Sequence, residues 1–402
     1  MNMIQPVGTA HTEPVLVYCP GLGTYPANTA DGVTDVLAAV LDRQNQGNYS
    51  AARLKDVTAP RGLVLGKTVL DPRDEPVLHV FELDYRKHMD PPSTSAGPTA
   101  PPGALTSALY AVAGLIGLLR AARHPAKTRL AKWQLFYGLI AVTALVLCAV
   151  VAILSWLIAA GAGSWLPEQV KTFFGLNASA VALTAGAVTV GGWALWRTRL
   201  LALAATVQRI MRYFDEERHR QTVTLTLTEA VDSLRDNGWS GAVHILGYSF
   251  GSLVAFDALF PAQMATSTNS RLTEAVESLT TIGCPVDAVR LYRGGYLGGR
   301  GALVKDRFKW TNIVNLADIF ASNFRDDADG TDGGTPVPIA GRIWPIENLR
   351  YGSDELGLMN VLKAKGFRTH DGYWGTPKEA SCFDAVVGRW VRLGSDTEVS
   401  QG

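Results

Sequence analysis

At neutral pH a serine becomes a nucleophile only when a neighbouring base takes its proton. Residues 243–259, VHILGYSFGSLVAFDAL, hold a serine in a setting that would allow it. Ser249 is the centre of Gly-Tyr-Ser-Phe-Gly, fed by an apolar run and followed by an apolar, helix-like one. The two flanking glycines are what a sharp strand-to-helix turn demands, because side chains there would collide with neighbouring backbone. Such a turn lifts the hydroxyl above the strand end and aims the N–H of Phe250 at the same point.

The base follows by elimination. In a strand–turn–helix nucleophile the chain order is serine, acid, histidine. Of the seven histidines, His11, His79, His88, His124, His219 and His244 precede Ser249, and His244 sits on its own strand. His370 alone follows, in the polar, glycine-containing stretch FRTHDGYWG. The acid belongs just past a strand between the two, where it orients the imidazole and stabilises the imidazolium. Asp318, closing NIVNLAD, fits best, with Asp287 after TIGCPV second; Asp326, Asp327 and Asp329 read as a solvated loop. An oxyanion needs two converging donors. Phe250 N–H is one, and the glycine turn in CPGLGTY supplies the other, from Leu22 or from Gly23.

The elements that would position these groups alternate between strand and helix. EPVLVYCPGLGTY (13–25) reads as a strand with a glycine turn, and 29–47 as an amphipathic helix stopped at Gly47. RGLVLGKTVL and residues 76–86 read as strands around the turn DPRDE, and the Pro- and Ser-rich stretch 90–103 as a linker. Helices are expected at 227–238, 355–366 and 382–393, and strands at 278–285 and 310–318. This alternation predicts an α/β fold with a mainly parallel sheet covered on both faces.

Between the two halves lie apolar runs of a different kind. Residues 133–158 and 174–196 carry no charge, and about 20 apolar residues suffice to cross a bilayer as a helix. Trp133, Trp156, Trp165, Trp193 and Trp196 stand near the run ends, as interfacial anchors do. Arg120, Arg123, Lys127, Arg129 and Lys132 precede the first run, and Arg197, Arg199, Arg209 and Arg212 follow the second, which places both flanks in the cytoplasm. A shorter run, 103–119, is expected to lie in the interface or pack on the domain, since an even number of crossings returns the chain to its own sheet. Ala178, Ala182 and Gly186 are spaced for close helix contact, within the hairpin or between copies in a homo-oligomer.

The predicted division is therefore 1–102 and 222–395 as the two parts of one α/β domain, 103–221 as a two-span membrane insertion, and 396–402 as a tail. A net charge of +1 gives no reason to expect nucleic acid. Cys19, Cys148, Cys284 and Cys382 are scattered, which fits a reducing compartment better than a disulfide framework. No metal, no organic cofactor and no cleavable signal peptide are expected.

With these motifs in place, the chain resembles the α/β-hydrolase superfamily, specifically its lipases and esterases, over most of 13–90 and 222–395. GYSFG is similar to the nucleophile elbow, LTTIGCPVD to the strand after it, VNLAD to the acid-bearing strand end, and THDGYW to a frequent His-x-x-Tyr-Trp near the C-terminus. Cys19-Pro20 stands where many relatives carry His-Gly, and Ile319-Phe320 where the related segment often has Pro-Val. The hairpin is an insertion that the common fold lacks. The resemblance implies a serine ester hydrolase acting through an acyl-enzyme, and the inserted runs imply that it is membrane-anchored and acts on lipid or other acyl esters near the bilayer. A tethered thioesterase or small-ester hydrolase, a membrane-damaging phospholipase effector and a catalytically silent scaffold are the alternatives.

Overall fold

The computed structural model describes residues 11–22, 29–54, 57–89, 206, 209–262, 270–318, 320–324, 334–352, 369–375 and 380–391. The chain divides into two compact units, Met1–Pro91 with His124–Gln134 and Glu216–Gly402, and Pro92–Arg123 with Leu135–Asp215. All that follows concerns the first unit. The apolar runs 103–119, 133–158 and 174–196 and the expected helix 355–366 lie outside the described residues. No helix among the described residues is long and apolar enough to cross a membrane.

The first strand, β1 (Val15–Cys19), is wholly buried, as a central parallel strand covered on both faces must be. Helix α1 (Ala30–Asn45) starts where the Thr29 side chain accepts from Gly32 N–H at 3.2 Å. The Glu82 carboxylate accepts from Ala30 N–H at 3.0 Å, a negative group at the positive end of the helix. Strands β2 (Ser50–Ala52), β3 (Leu63–Leu70) and β4 (Pro76–Leu83) follow, then the single turn α2 (Arg86–Met89). After the second unit the chain resumes with α3 (Glu217–Asp236), β5 (Val243–Tyr248), α4 (Phe250–Leu259), α5 (Ser270–Ala275), β6 (Val276–Ile282), α6 (Val286–Tyr292) and β7 (Lys309–Val314). A small antiparallel pair, β8 (Pro338–Ile339) and β9 (Arg342–Ile343), precedes β10 (Glu347–Arg350).

These strands build an eight-stranded sheet in the order β10-β7-β6-β5-β1-β4-β3-β2. Only β3 runs against the others, so the sheet is mixed but mostly parallel. Alternate residues of a strand face opposite layers. Leu16 and Tyr18 of β1 and Leu246 and Tyr248 of β5 share one core with Val33, Leu37 and Leu41 of α1 and with Phe383 and Trp390 near the C-terminus. On the other layer α4 packs against β5, β1 and β6, with α3 beside it against β4. From β1 the chain leaves through α1 toward β2, and from β5 through α4 toward β6. Their carboxyl ends therefore border the crevice where the connections diverge, the place where open α/β sheets hold ligands.

Two expectations need correction, and two strands come as additions. The helix expected at 227–238 begins at Glu217, through the threonine-rich TVTLTLT. Burial of Val223, Thr226 and Leu227 along one face outweighs the weak helix preference of β-branched residues. Of the helix expected at 382–393, the described residues 382–391 form not an α-helix but two 3₁₀ turns, Cys382–Ala385 and Val387–Arg389. Reciprocal Ser381–Asp384 capping tightens the first, and both place Phe383, Val386, Val387 and Trp390 in the core. Strands β2 and β10 were not expected. They are short and only partly buried, so neither carries a buried-strand pattern.

Candidate active site

Ser249 caps α4 with φ 52° and ψ −122°, a conformation that costs a side-chain-bearing residue on the order of 1–3 kcal/mol. Hydrogen bonds hold it there: Ser249 N–H donates to Ile282 O at 2.8 Å, and Ser252 N–H donates to Ser249 O at 3.0 Å. The flanking glycines are fixed by close approach rather than by dihedral freedom. A Cβ on Gly251 would stand 2.0 Å from Cys19 O, and one on Gly247 would stand 2.6 Å from Ser252 Cα. The turn is thus wedged against the end of β1, and Gly21 of that end lies beside Ser249.

His370 reaches the serine from the C-terminal part of the chain. Its Nε2 lies 2.8 Å from Ser249 Oγ and its Nδ1 lies 2.8 Å from Asp318 Oδ2. The ring stacks on Tyr248 at 5.3 Å between centroids and meets the edge of Phe320 at 5.0 Å. Tyr248 Oη also donates to the His370 carbonyl at 2.7 Å, tying the helical turn that carries the histidine to the strand that leads into the serine.

Asp318, at 0% exposure, sits past the end of β7. Besides His370, its carboxylate accepts from Tyr373 Oη at 2.9 Å and from Phe320 N–H at 2.8 Å. Burial is the largest influence on the His370 imidazole and pushes its pKa down. The Asp318 charge, the Asp318 hydrogen bond and the Asp371 charge together outweigh it, so the pKa lies above the ordinary value. The sites bordering this pair are equally constrained. Gly283 has φ +58°, and a Cβ there would meet Asp318 Oδ2 and His370 Cε1 at 3.1 Å.

The structure therefore brings Ser249, His370 and Asp318 into one hydrogen-bonded chain. Asp287 is engaged elsewhere: it accepts from the Thr335 hydroxyl, its N–H donates to Ser322 Oγ at 2.7 Å, and Arg290 approaches at 3.7 Å. Leu22 lies just past the end of β1 and Phe250 opens α4, the two chain ends that meet at Ser249. Gly23, Asp326, Asp327 and Asp329 lie outside the described residues.

Three further residues shape the site without having been assigned roles from sequence. Tyr373 lies inside the segment THDGYW and Gly283 inside LTTIGCPVD, so their neighbourhood was visible but their contacts were not. Tyr248 lies within GYSFG itself, and nothing in the sequence points its hydroxyl at the His370 carbonyl.

Separations of 2.8 Å are right for proton transfer between a hydroxyl and an imidazole. The buried carboxylate on Nδ1 fixes the tautomer that leaves Nε2 free to accept. The arrangement can generate a serine alkoxide equivalent at neutral pH and return the proton to a leaving group. No family model, no curated protein and no solved structure matches the chain.

Proposed function

We propose that the protein is a serine hydrolase of the α/β-hydrolase kind, anchored to a membrane and cleaving acyl esters, chiefly those of lipids. The observation that carries this reading is the unbroken hydrogen-bonded line from Ser249 Oγ through the His370 ring to Asp318, set at the carboxyl ends of a mostly parallel sheet.

In the proposed reaction Ser249 Oγ attacks the ester carbonyl as its proton passes to His370 Nε2. Negative charge on the carbonyl oxygen is held by the N–H groups of Leu22 and Phe250; the latter lies in the first turn of α4, where helix N–H groups point outward. The imidazolium, stabilised by Asp318, protonates the departing alkoxide and leaves an acyl-serine. Water then attacks the acyl carbon, His370 takes its proton, and collapse of the second tetrahedral species returns Ser249 and releases the carboxylic acid.

The lipid substrate and the cytoplasmic-side anchor rest on sequence. The uncharged runs 133–158 and 174–196 fall between β4 and α3, with basic flanks on both sides. Tethering a hydrolase to a bilayer raises the local concentration of acyl substrates.

Fluorophosphonate labelling of the full chain in detergent, native against Ser249→Ala, tests the nucleophile. Labelling and esterase activity are expected only in the native protein, and equal labelling of both would remove Ser249 from the role. A panel of short soluble esters, thioesters and long-chain micellar esters then tests the substrate. Preference for the micellar esters supports lipid cleavage, whereas preference for the soluble ones would reassign the enzyme as a tethered thioesterase or small-ester hydrolase.

A further inference from the structure

At the other end of the strands, away from Ser249, three metal-binding side chains converge. His11 and Glu13 are two apart in the segment leading into β1, which bends at Glu13 and brings both side chains to His79. His79 comes from β4, where it pairs with Val15. Ligand atoms of the three lie within 4.8 Å of one another, and no other such group of histidine, cysteine and carboxylate side chains occurs among the described residues.

Backbone pairing holds this convergence in place. His11 N–H donates to Gly238 O at 3.1 Å and Ser240 N–H to His11 O at 2.8 Å, while His79 N–H donates to Pro14 O at 3.1 Å. The His11 ring stacks on Trp239 at 4.1 Å, and the His79 ring meets the same indole edge-on at 4.6 Å.

Two polar atoms of the cluster are buried, unpartnered and turned toward each other. The His79 side chain is 2% exposed, and its Nε2 is buried with no hydrogen-bond partner. Glu13 Oε2 is likewise buried and without one. The two face each other at 3.9 Å, too far for a hydrogen bond. Leaving a buried polar atom unsatisfied is costly, and a cation between these two would satisfy both. His79 Nδ1 lies 3.0 Å from the buried Thr68 hydroxyl. With Nδ1–H donating to that hydroxyl, the Nε2 lone pair faces the cluster, the arrangement by which metal-binding histidines are held in the required tautomer.

We propose that His11, Glu13 and His79 bind a zinc ion that pins the segment before β1 to β4. Two imidazoles and one carboxylate are a zinc donor set. Tetrahedral zinc at about 2.0–2.1 Å from each ligand needs ligand atoms roughly 3.4 Å apart, so side-chain rotations of roughly 1 Å complete the site. A water takes the fourth position. The site serves the fold, not the hydrolysis, and it stands whether or not Ser249 is a nucleophile.

The test uses the full chain in detergent, stripped with a chelator and titrated with Zn²⁺, alongside Glu13→Gln and His11→Asn. Both substituted positions are only half-buried, so the core survives the changes. One zinc per chain is expected, with binding at least tenfold weaker in each variant. Zinc should also raise the melting temperature of the native protein and not of Glu13→Gln, and Co²⁺ should give the intense visible absorption of four-coordinate cobalt. Fluorophosphonate labelling should be the same in all three proteins. No stoichiometric uptake by the native chain, or uptake unchanged in both variants, would overturn the proposal.

Discussion

Tyr373 Oη donates to Asp318 Oδ2 at 2.9 Å while accepting from Asn315 N–H at 2.9 Å. One hydroxyl thus joins the carboxylate behind His370 to the turn that carries it. Tyr373→Phe removes a charge-assisted bond and leaves a buried backbone donor unmade, which together should cost about 1–3 kcal/mol of stability. Ester hydrolysis should slow through kcat, with KM little changed, because the hydroxyl supports the base and not the substrate. Denaturant unfolding and steady-state kinetics on the one variant check both parts; a change confined to KM would mean that the hydroxyl meets the substrate.

The environment of His370 makes a pH prediction. Its pKa is raised because the charge and hydrogen bond of Asp318, with the charge of Asp371, outweigh burial. The base must be neutral to act, so kcat/KM should rise with pH along a limb centred above the ordinary imidazole value. Linkage has the same origin. A histidine whose folded pKa exceeds its unfolded one stabilises the fold at low pH, and that contribution is lost as pH rises through the folded pKa. Asp371→Asn removes one of the raising charges, so its limb should move to lower pH. A limb that stays in place would show that Asp371 is screened from the ring.

Two glycines give opposite predictions for one substitution. A Cβ on Gly251 would overlap the Cys19 carbonyl at 2.0 Å, and both partners are backbone, so neither can turn aside. Gly251→Ala should destabilise by about 3 kcal/mol or more and abolish activity with it. Gly388, in the last 3₁₀ turn, would meet nothing within 4 Å. Gly388→Ala should leave activity intact and stability equal or slightly raised, by up to about 1 kcal/mol, because alanine reduces the freedom of the unfolded chain. Melting temperatures of the pair against the native protein test the contrast.

Much of this was legible because central strands and a strand–turn–helix nucleophile leave strong local patterns. VLVYC and VHILGY are continuous buried runs, and the placement of Gly247 and Gly251 follows from sterics around a tight turn. Chain order then left His370 as the expected base. What stayed hidden depends on packing between segments distant in sequence. The hydroxyl of Tyr373 on Asp318, the room for His370 above Gly283 and the meeting of His11 with His79 exist only after the sheet has ordered its strands. The edge strand β10 was missed for a related reason: ENLR is half-exposed, and pairing with β7, not hydrophobic pattern, makes it a strand.

The choice between two acids is the sharpest remaining test. Asp318 bonds the His370 ring, whereas Asp287 bonds Thr335 and Ser322 and lies beside Arg290. Asp318→Asn keeps the shape but can hold the imidazole in the wrong tautomer, so kcat should fall by about 10⁴-fold with the fold retained. Asp287→Asn should leave kcat unchanged. Burial raises the Asp287 pKa, against the lowering effects of the Thr335 hydrogen bond and Arg290. A carboxyl whose folded pKa lies above its unfolded one destabilises the fold as pH rises past the unfolded value. The neutral amide removes that penalty while keeping an acceptor for Thr335, so Asp287→Asn should melt no lower than the native protein at pH 7. Kinetics and thermal melts of the two variants decide the matter, and loss of activity in Asp287→Asn with activity kept in Asp318→Asn would reverse the assignment.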